Sequence, residues 1–164
     1  MDLIVEPSGW ALWGGKRLHC ALGRAGISIH KREGDGASPA GSFPMRRLFY
    51  RADRVTQLAS GLPMRAIARA DGWCDDPADP AYNRPVSLPY KARAERLWRE
   101  DGLYDLVVAL GYNDDPVVPG KGSAIFLHIA RDDYGPTEGC VALSRADLLE
   151  VLKVADKGSR VMIG

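Results

Sequence analysis

The chain has 164 residues and a formal net charge of +1, a length that suits one domain with its own core and no need of disulfide or metal staples. Hydrophobic residues make up 46% and charged residues 26%; this is ordinary for a globular protein, and so small a net charge gives no field to draw nucleic acid or an anionic membrane. No apolar run approaches the roughly 20 residues that a helical membrane span needs.

Residues 2–6, Asp-Leu-Ile-Val-Glu, predict a first short strand. The opening Met1 to Pro7 has no basic start, long apolar stretch or small-residue cleavage site, so no secretory signal is read there. Residues 9–14 alternate around Trp10 and Trp13, and 17–22 and 26–30 carry period-two patterns. Strands at this spacing, parted by glycine turns, predict an antiparallel sheet. Residues 33–42 read as a loop by composition, and Phe43 to Tyr50 return to a strand. Residues 71–90 hold four prolines and predict a long irregular stretch, which in a compact domain is usually functional or disordered. Trp73 and Tyr82 argue against disorder. Ala92 to Arg99 predicts a short helix with Leu97 and Trp98 toward the core. Tyr104 to Gly111 and Ser123 to Ala130 predict buried strands. Ser144 suits the N-cap of a helix from Arg145 to Asp156, with Asp147 in its first turn and an apolar face of Leu148, Leu149, Val151, Leu152 and Val154. Arg160 to Ile163 forms a last strand. With no repeat and no internal boundary, residues 1–164 read as a single mostly β domain with one or two short helices.

There are three cysteines, so at least one is unpaired, and none stands in a CxxC pair of the kind that builds a structural zinc site. Cys20 reads as core; Cys74, in a polar loop, reads as exposed. Cys140 differs, because it follows a glycine turn and leads into a short strand and then the capped helix. A thiol is weakly ionised at neutral pH, and a nearby imidazole can take its proton and make the nucleophile. His128, near the end of an apolar strand, is the candidate base. The turn before Cys140 offers the N–H groups of Gly139 and Cys140 as oxyanion donors, and Gly139 has no side chain to block the approach. The competing readings are a cysteine that only packs and a histidine that only satisfies a carbonyl. A zinc site of His128, Cys140 and an Asp lacks the tight ligand spacing such sites use, so no metal is assigned.

Thr137-Glu138-Gly139-Cys140-Val141, preceded by His128 on a strand, resembles the signature of the YkuD-type L,D-transpeptidases. Gly36-Ala37-Ser38-Pro39-Ala40-Gly41-Ser42-Phe43 resembles that family's upstream Gly-x-Thr/Ser-Pro-x-Gly-x-Phe/Tyr turn. The order and separation of the two motifs also fit, so the likeness covers roughly residues 5–163. Where the common motif has His before Gly-Cys, this chain has Glu138. Where it has Arg or Asn two residues after the cysteine, this chain has Ala142.

The resemblance implies a β-sandwich-like catalytic domain that works without a cofactor. Cys140 would be the nucleophile and His128 the base, oriented by a backbone carbonyl such as that of Ile129. Thr137 would shape the turn or hold substrate. The implied partners are peptidoglycan stem peptides, as acyl donor and acceptor, and the implied location is the periplasm or cell envelope. The product would be a 3–3 crosslink, or a 1–3 crosslink given the altered motif, and the protein is expected to act as a monomer. Stem peptides carry free carboxylates and amines. Arg84 and Arg131 are candidate carboxylate binders. Trp73 and Asn83 in the long loop, and Tyr112 and Asn113 after a strand, are further candidate contacts. The aspartates beside them, Asp75, Asp76, Asp114 and Asp115, serve equally well as turn residues. Two other functions stay open: a hydrolase in which water resolves the same thioester, and a non-catalytic wall-binding domain.

Overall fold

The computed structural model describes residues 1–164. In chain order its strands are β1 (Leu3–Val5), β2 (Trp10–Trp13), β3 (Lys16–Ala21), β4 (Ile27–Ser28), β5 (Ser38–Pro39), β6 (Gly41–Tyr50), β7 (Met64–Ala66), β8 (Asp71–Cys74), β9 (Pro85–Ser87), β10 (Ala94–Arg96), β11 (Leu106–Leu110), β12 (Phe126–Ile129), β13 (Val141–Leu143) and β14 (Arg160–Ile163). The one helix is α1 (Arg145–Val154). The fold is mostly β, as its turn-rich, alternating sequence predicts. The sheet is mixed rather than antiparallel, since β1–β14, β12–β13 and β6–β7 pair in parallel.

Two strands pass from one sheet to another and make the sandwich. Lys16 to His19 of β3 pair with β2, while Cys20 and Ala21 at its end pair with β13. Gly41 to Pro44 of β6 pair with β14, and Met45 to Tyr50 pair with β11. One layer is therefore β3-β2-β1-β14-β6 and the other β3-β13-β12-β11-β6-β7. Side chains alternate along a strand, so Leu3 and Val5, Leu106 and Val108, Leu127 and Ile129, and Val141 and Leu143 all point into the principal core. Helix α1 covers that core with Leu148, Val151 and Leu152, each fully buried. Ser144 caps it by accepting the Asp147 N–H at 3.1 Å, a contact worth about 1 kcal/mol. The helix ends at Val154, which is half exposed, because Ala155 turns into extended backbone and starts the approach to β14.

The other face of the second layer positions the site. Phe49, Val107, Ala109 and Phe126 turn away from the principal core into a second cluster with Tyr104, Leu97 and Cys140. A small sheet, β10-β8-β9, covers this cluster. The stretch expected to be irregular thus holds two strands, β8 and β9. Pro85 is tolerated because it opens β9 at the outside of the sheet, where a missing N–H does little harm. The expected helix at Ala92–Arg99 is instead strand β10, whose Ala94, Glu95 and Arg96 pair with Cys74, Trp73 and Gly72. Leu97 is buried as expected, while Trp98 lies half-buried against the Arg51 and Arg69 guanidinium groups, 3.5 and 4.8 Å from its ring centre. Cys74 is fully buried rather than exposed, with its thiol toward Asp79. All three cysteines are free.

Candidate active site

His128 and Cys140 meet because two strands run side by side in parallel. β12 and β13 pair with His128 opposite Ala142, so Cys140, one residue before β13, lies two residues back on the same outward face. Both side chains are almost wholly buried, at 6% and 8% exposure, and both line the floor of a cleft of about 570 Å³.

The sulfur is already engaged. The Cys140 thiol donates to the Ala124 carbonyl at 3.2 Å and accepts the Phe126 N–H at 3.4 Å. His128 Nδ1 lies 2.9 Å from the Ile129 carbonyl. A carbonyl only accepts, so Nδ1 carries the proton and Nε2 keeps the lone pair. Burial pushes the Cys140 thiol up to about 12, with the Glu95 charge adding to it. Burial pushes His128 down to about 4, against the pull of the Ile129 carbonyl. The resting pair is a neutral thiol and a neutral imidazole, not a thiolate–imidazolium pair.

The turn before the cysteine is tied from within. Thr137 Oγ1 donates to the Cys140 carbonyl at 2.6 Å and accepts the Gly139 N–H at 3.1 Å. The Gly139 N–H is therefore occupied inside the turn, and the Cys140 N–H is the donor left beside the sulfur. Gly139 contributes by shape. Its φ is +138°, and a Cβ there would lie 2.8 Å from the Ala37 carbonyl. Ala37 belongs to the upstream motif, which reaches the site through a short relay. Thr137 exchanges backbone bonds with Leu22 and Arg24, and the Gly23 N–H donates to Ser38 Oγ at 2.9 Å. Two motifs far apart in sequence thus form one wall.

Trp73, Asn83, Tyr112 and Asn113 stand behind the cleft and do not line it. The Trp73 indole N–H donates to Asn83 Oδ1 at 2.9 Å, and the same oxygen accepts the Ala124 N–H at 3.0 Å. Asn83 Nδ2 donates to the carbonyls of Tyr112 and Asn113 at 3.1 and 2.8 Å. Asn113 in turn brackets Val118 and Gly122 with its own amide. This network holds Ala124 at φ +53°, an unfavourable backbone for alanine, and so aims the carbonyl that accepts the Cys140 thiol hydrogen bond. Arg84 is exposed away from the cleft, and Arg131 lines it.

Several cleft residues escaped the sequence reading. Lys31, with a side chain only 5% exposed, pairs with Asp35 at 2.6 Å, and its ammonium lies 3.4 Å from where a Gly139 Cβ would be. Glu33 accepts the Ser123 and Tyr82 hydroxyls at 2.5 and 2.8 Å. Tyr104 presents its ring edge-on to His128 with centroids 5.2 Å apart, and its hydroxyl donates to Glu95. A lysine two places before Glu33 in a glycine-rich loop was the one local signal for this wall.

The cleft rim mixes charges, most of them paired: Arg93 with Asp75, Arg99 with Asp101, and Glu138 with Arg24. Arg131 has no carboxylate partner, and Glu95 has no cation in contact. No helix is long and apolar enough to cross a membrane.

Comparison with known proteins agrees with the motif reading. The family model described as the L,D-transpeptidase catalytic domain, YkuD, matches residues 9–163. No curated protein matches the chain. Among solved structures it is similar to the helical cell shape determining protein Pgp2 from Campylobacter jejuni, with 17% identity and a TM-score of 0.44 over 99% of this chain and 46% of that one. The chain therefore spans about half the length of that protein. With a family model covering nearly its whole length, the chain belongs to the YkuD family of L,D-transpeptidase catalytic domains.

Proposed function

We propose that the chain is a peptidoglycan L,D-transpeptidase of the periplasm or cell envelope, with Cys140 as nucleophile and His128 as base. The observation that carries this is the pair itself: a thiol and an imidazole with a free Nε2, on one face of adjacent strands, at the floor of an open cleft. A donor amide carbonyl would settle over the sulfur and displace it from the Ala124 carbonyl. The thiol proton passes to His128 Nε2 as the C–S bond forms, and the Cys140 N–H steadies the oxyanion. The imidazolium then gives that proton to the departing amine, leaving a thioester. An acceptor amine attacks the thioester, the C–S bond breaks, and the thiol is restored. Because both groups rest neutral, proton transfer is coupled to substrate arrival instead of preceding it. Arg131, free of any carboxylate partner, is the anchor for a stem-peptide carboxylate.

The test is incubation of the protein with defined disaccharide-peptide fragments, with Cys140→Ala as the control, read by mass spectrometry. Crosslinked dimers from the wild type alone are expected, and fragmentation of the dimer distinguishes a 3–3 from a 1–3 link. Trimmed monomers without dimers would replace the transferase by a hydrolase. Dimers from the Cys140→Ala variant would remove Cys140 from its role.

A further inference from the structure

Glu95 is the one acid of the cleft that shares its cavity with Cys140 and makes neither an ion pair nor a contact with more than one hydroxyl. It sits on β10, in the small sheet that covers the second cluster, and lines the same cavity as Cys140 and His128. Its single hydrogen-bond partner is the Tyr104 hydroxyl. Asp75 and Glu138 are tied to arginines, and Glu33 is held by two hydroxyls. Arg99, whose charge reaches Glu95 without a salt bridge, pairs instead with Asp101 and lies over the Tyr104 ring, 5.0 Å from its centre. Among the carboxylates lining the cleft, Glu95 is the one whose charge raises the Cys140 thiol. Lining the same cavity as Cys140, a carboxylate so placed is short of a salt-bridge partner, and a desolvated acid in a cleft is a candidate functional group.

We propose that Glu95 is the residue that receives the acceptor amine, binding it as an ammonium and taking one of its protons. This deepens the acyl-transfer reading above and rests on it. The ammonium of the acceptor, a primary amine on a D-centre, pairs with the Glu95 carboxylate. One proton passes to that carboxylate and frees the nitrogen lone pair. The amine attacks the thioester carbonyl, the C–N bond forms and the C–S bond breaks. A second proton passes through His128 to the departing sulfur, which ends as the thiol, and the third stays on the new amide. Glu95 then returns its proton to water. Burial holds the Glu95 carboxyl above the usual carboxylate range, against the Tyr104 hydrogen bond and the Arg99 charge, which makes it a stronger base than a surface glutamate. Neutral water needs no such partner, so Glu95 favours transfer over hydrolysis.

The experiment uses Glu95→Gln. The amide oxygen still accepts the Tyr104 proton, so a purely structural role is not disturbed. A disaccharide-tetrapeptide is the donor, and the acceptors are D-alaninamide, cationic at neutral pH, and hydroxylamine, which is neutral there. The variant is expected to form the Cys140 thioester and pass it to hydroxylamine with a smaller change than toward the cationic acceptor, the loss of the Glu95 charge also easing the thiol's ionisation. Its kcat/KM for D-alaninamide is expected to fall about 30-fold, the scale of one lost charge-assisted contact, and the product balance to move toward hydrolysis. Glu95→Asp, which keeps the charge, is expected to recover part of the amine transfer. Unchanged amine transfer in Glu95→Gln would overturn the assignment. So would equal losses toward both acceptors, or equal impairment of the Asp and Gln variants. No thioester on the wild-type protein would instead refute the acyl-transfer reading, and the assignment with it.

Discussion

Replacing Asn83 by alanine removes a strut that lies behind the cleft and sets the direction of the Ala124 carbonyl. The side chain makes four hydrogen bonds, to the Trp73 indole, the Ala124 N–H, and the carbonyls of Tyr112 and Asn113, at distances from 2.8 to 3.1 Å. It is 5% exposed, so water does not simply take its place. A typical net value of about 1 kcal/mol per bond gives roughly 4 kcal/mol of lost stability. Asn83 itself has φ +56°, a conformation asparagine tolerates better than alanine, which adds about 1 kcal/mol. Partial rehydration of the freed groups works the other way, so the expected loss is about 4 kcal/mol, or roughly 8–16 °C in melting temperature for a chain of this size. Urea unfolding measures the first quantity. Alkylation of Cys140, followed by peptide mapping to separate it from Cys20 and Cys74, measures the second consequence, a thiol no longer held by the Ala124 carbonyl. Adding Ala124→Gly should return part of the stability, since glycine accepts φ +53° without a steric penalty. A loss below about 1 kcal/mol, with unaltered Cys140 alkylation, would refute the strut.

Two further outcomes follow from the site. Gly139→Ala forces a Cβ to 2.8 Å from the Ala37 carbonyl at φ +138°, and should cost about 3 kcal/mol in urea unfolding and abolish product formation; wild-type stability would contradict the close approach of the two motifs. His128 is buried neutral with its folded value lowered from 6.5 to about 4, so the unfolded chain binds the extra proton first. Its contribution is present above pH 6.5 and is lost as pH falls toward 4, about 3 kcal/mol in all. His128→Gln should flatten that part of the stability–pH curve, and an unchanged slope would show that other groups carry the acid sensitivity.

The Cys140 end of the candidate site was legible because its signals are local. Gly139 precedes Cys140, Ser144 caps the next helix, and a strand pattern puts His128 on the outward face beside Phe126. The covering sheet was not legible. β8, β9 and β10 are three or four residues long, too short for a period to show, and proline in that stretch reads as a loop until one knows that Pro85 opens an outer strand. Leu97 and Trp98 gave the apolar pair of a helix, yet they follow a strand and serve different neighbours. Composition marked Trp73, Asn83, Tyr112 and Asn113 as organised polar residues. It carried no information on whether they face substrate or backbone, because that depends on pairings between loops distant in sequence. Glu95 and Tyr104 were missed for the same reason: each is unremarkable alone, and their meaning comes from sharing a cleft with Cys140.

The parallel pairing of β1 with β14 has a consequence for how the chain acquires its shape. The first and last strands are neighbours in the middle of one layer, with β2 on one side and β6 on the other. Leu3 and Val5 lose their cover if Val161 and Ile163 are missing. No early portion of the polypeptide can close that layer by itself. Such distant pairing is slow to form, and the layer stays open at the ribosome until the final strand has emerged. Strands β12 and β13, which position His128 and Cys140, are also late in the sequence, so this pair and structural closure arrive almost together. A chain shortened before β14 therefore leaves that layer open between β1 and β6.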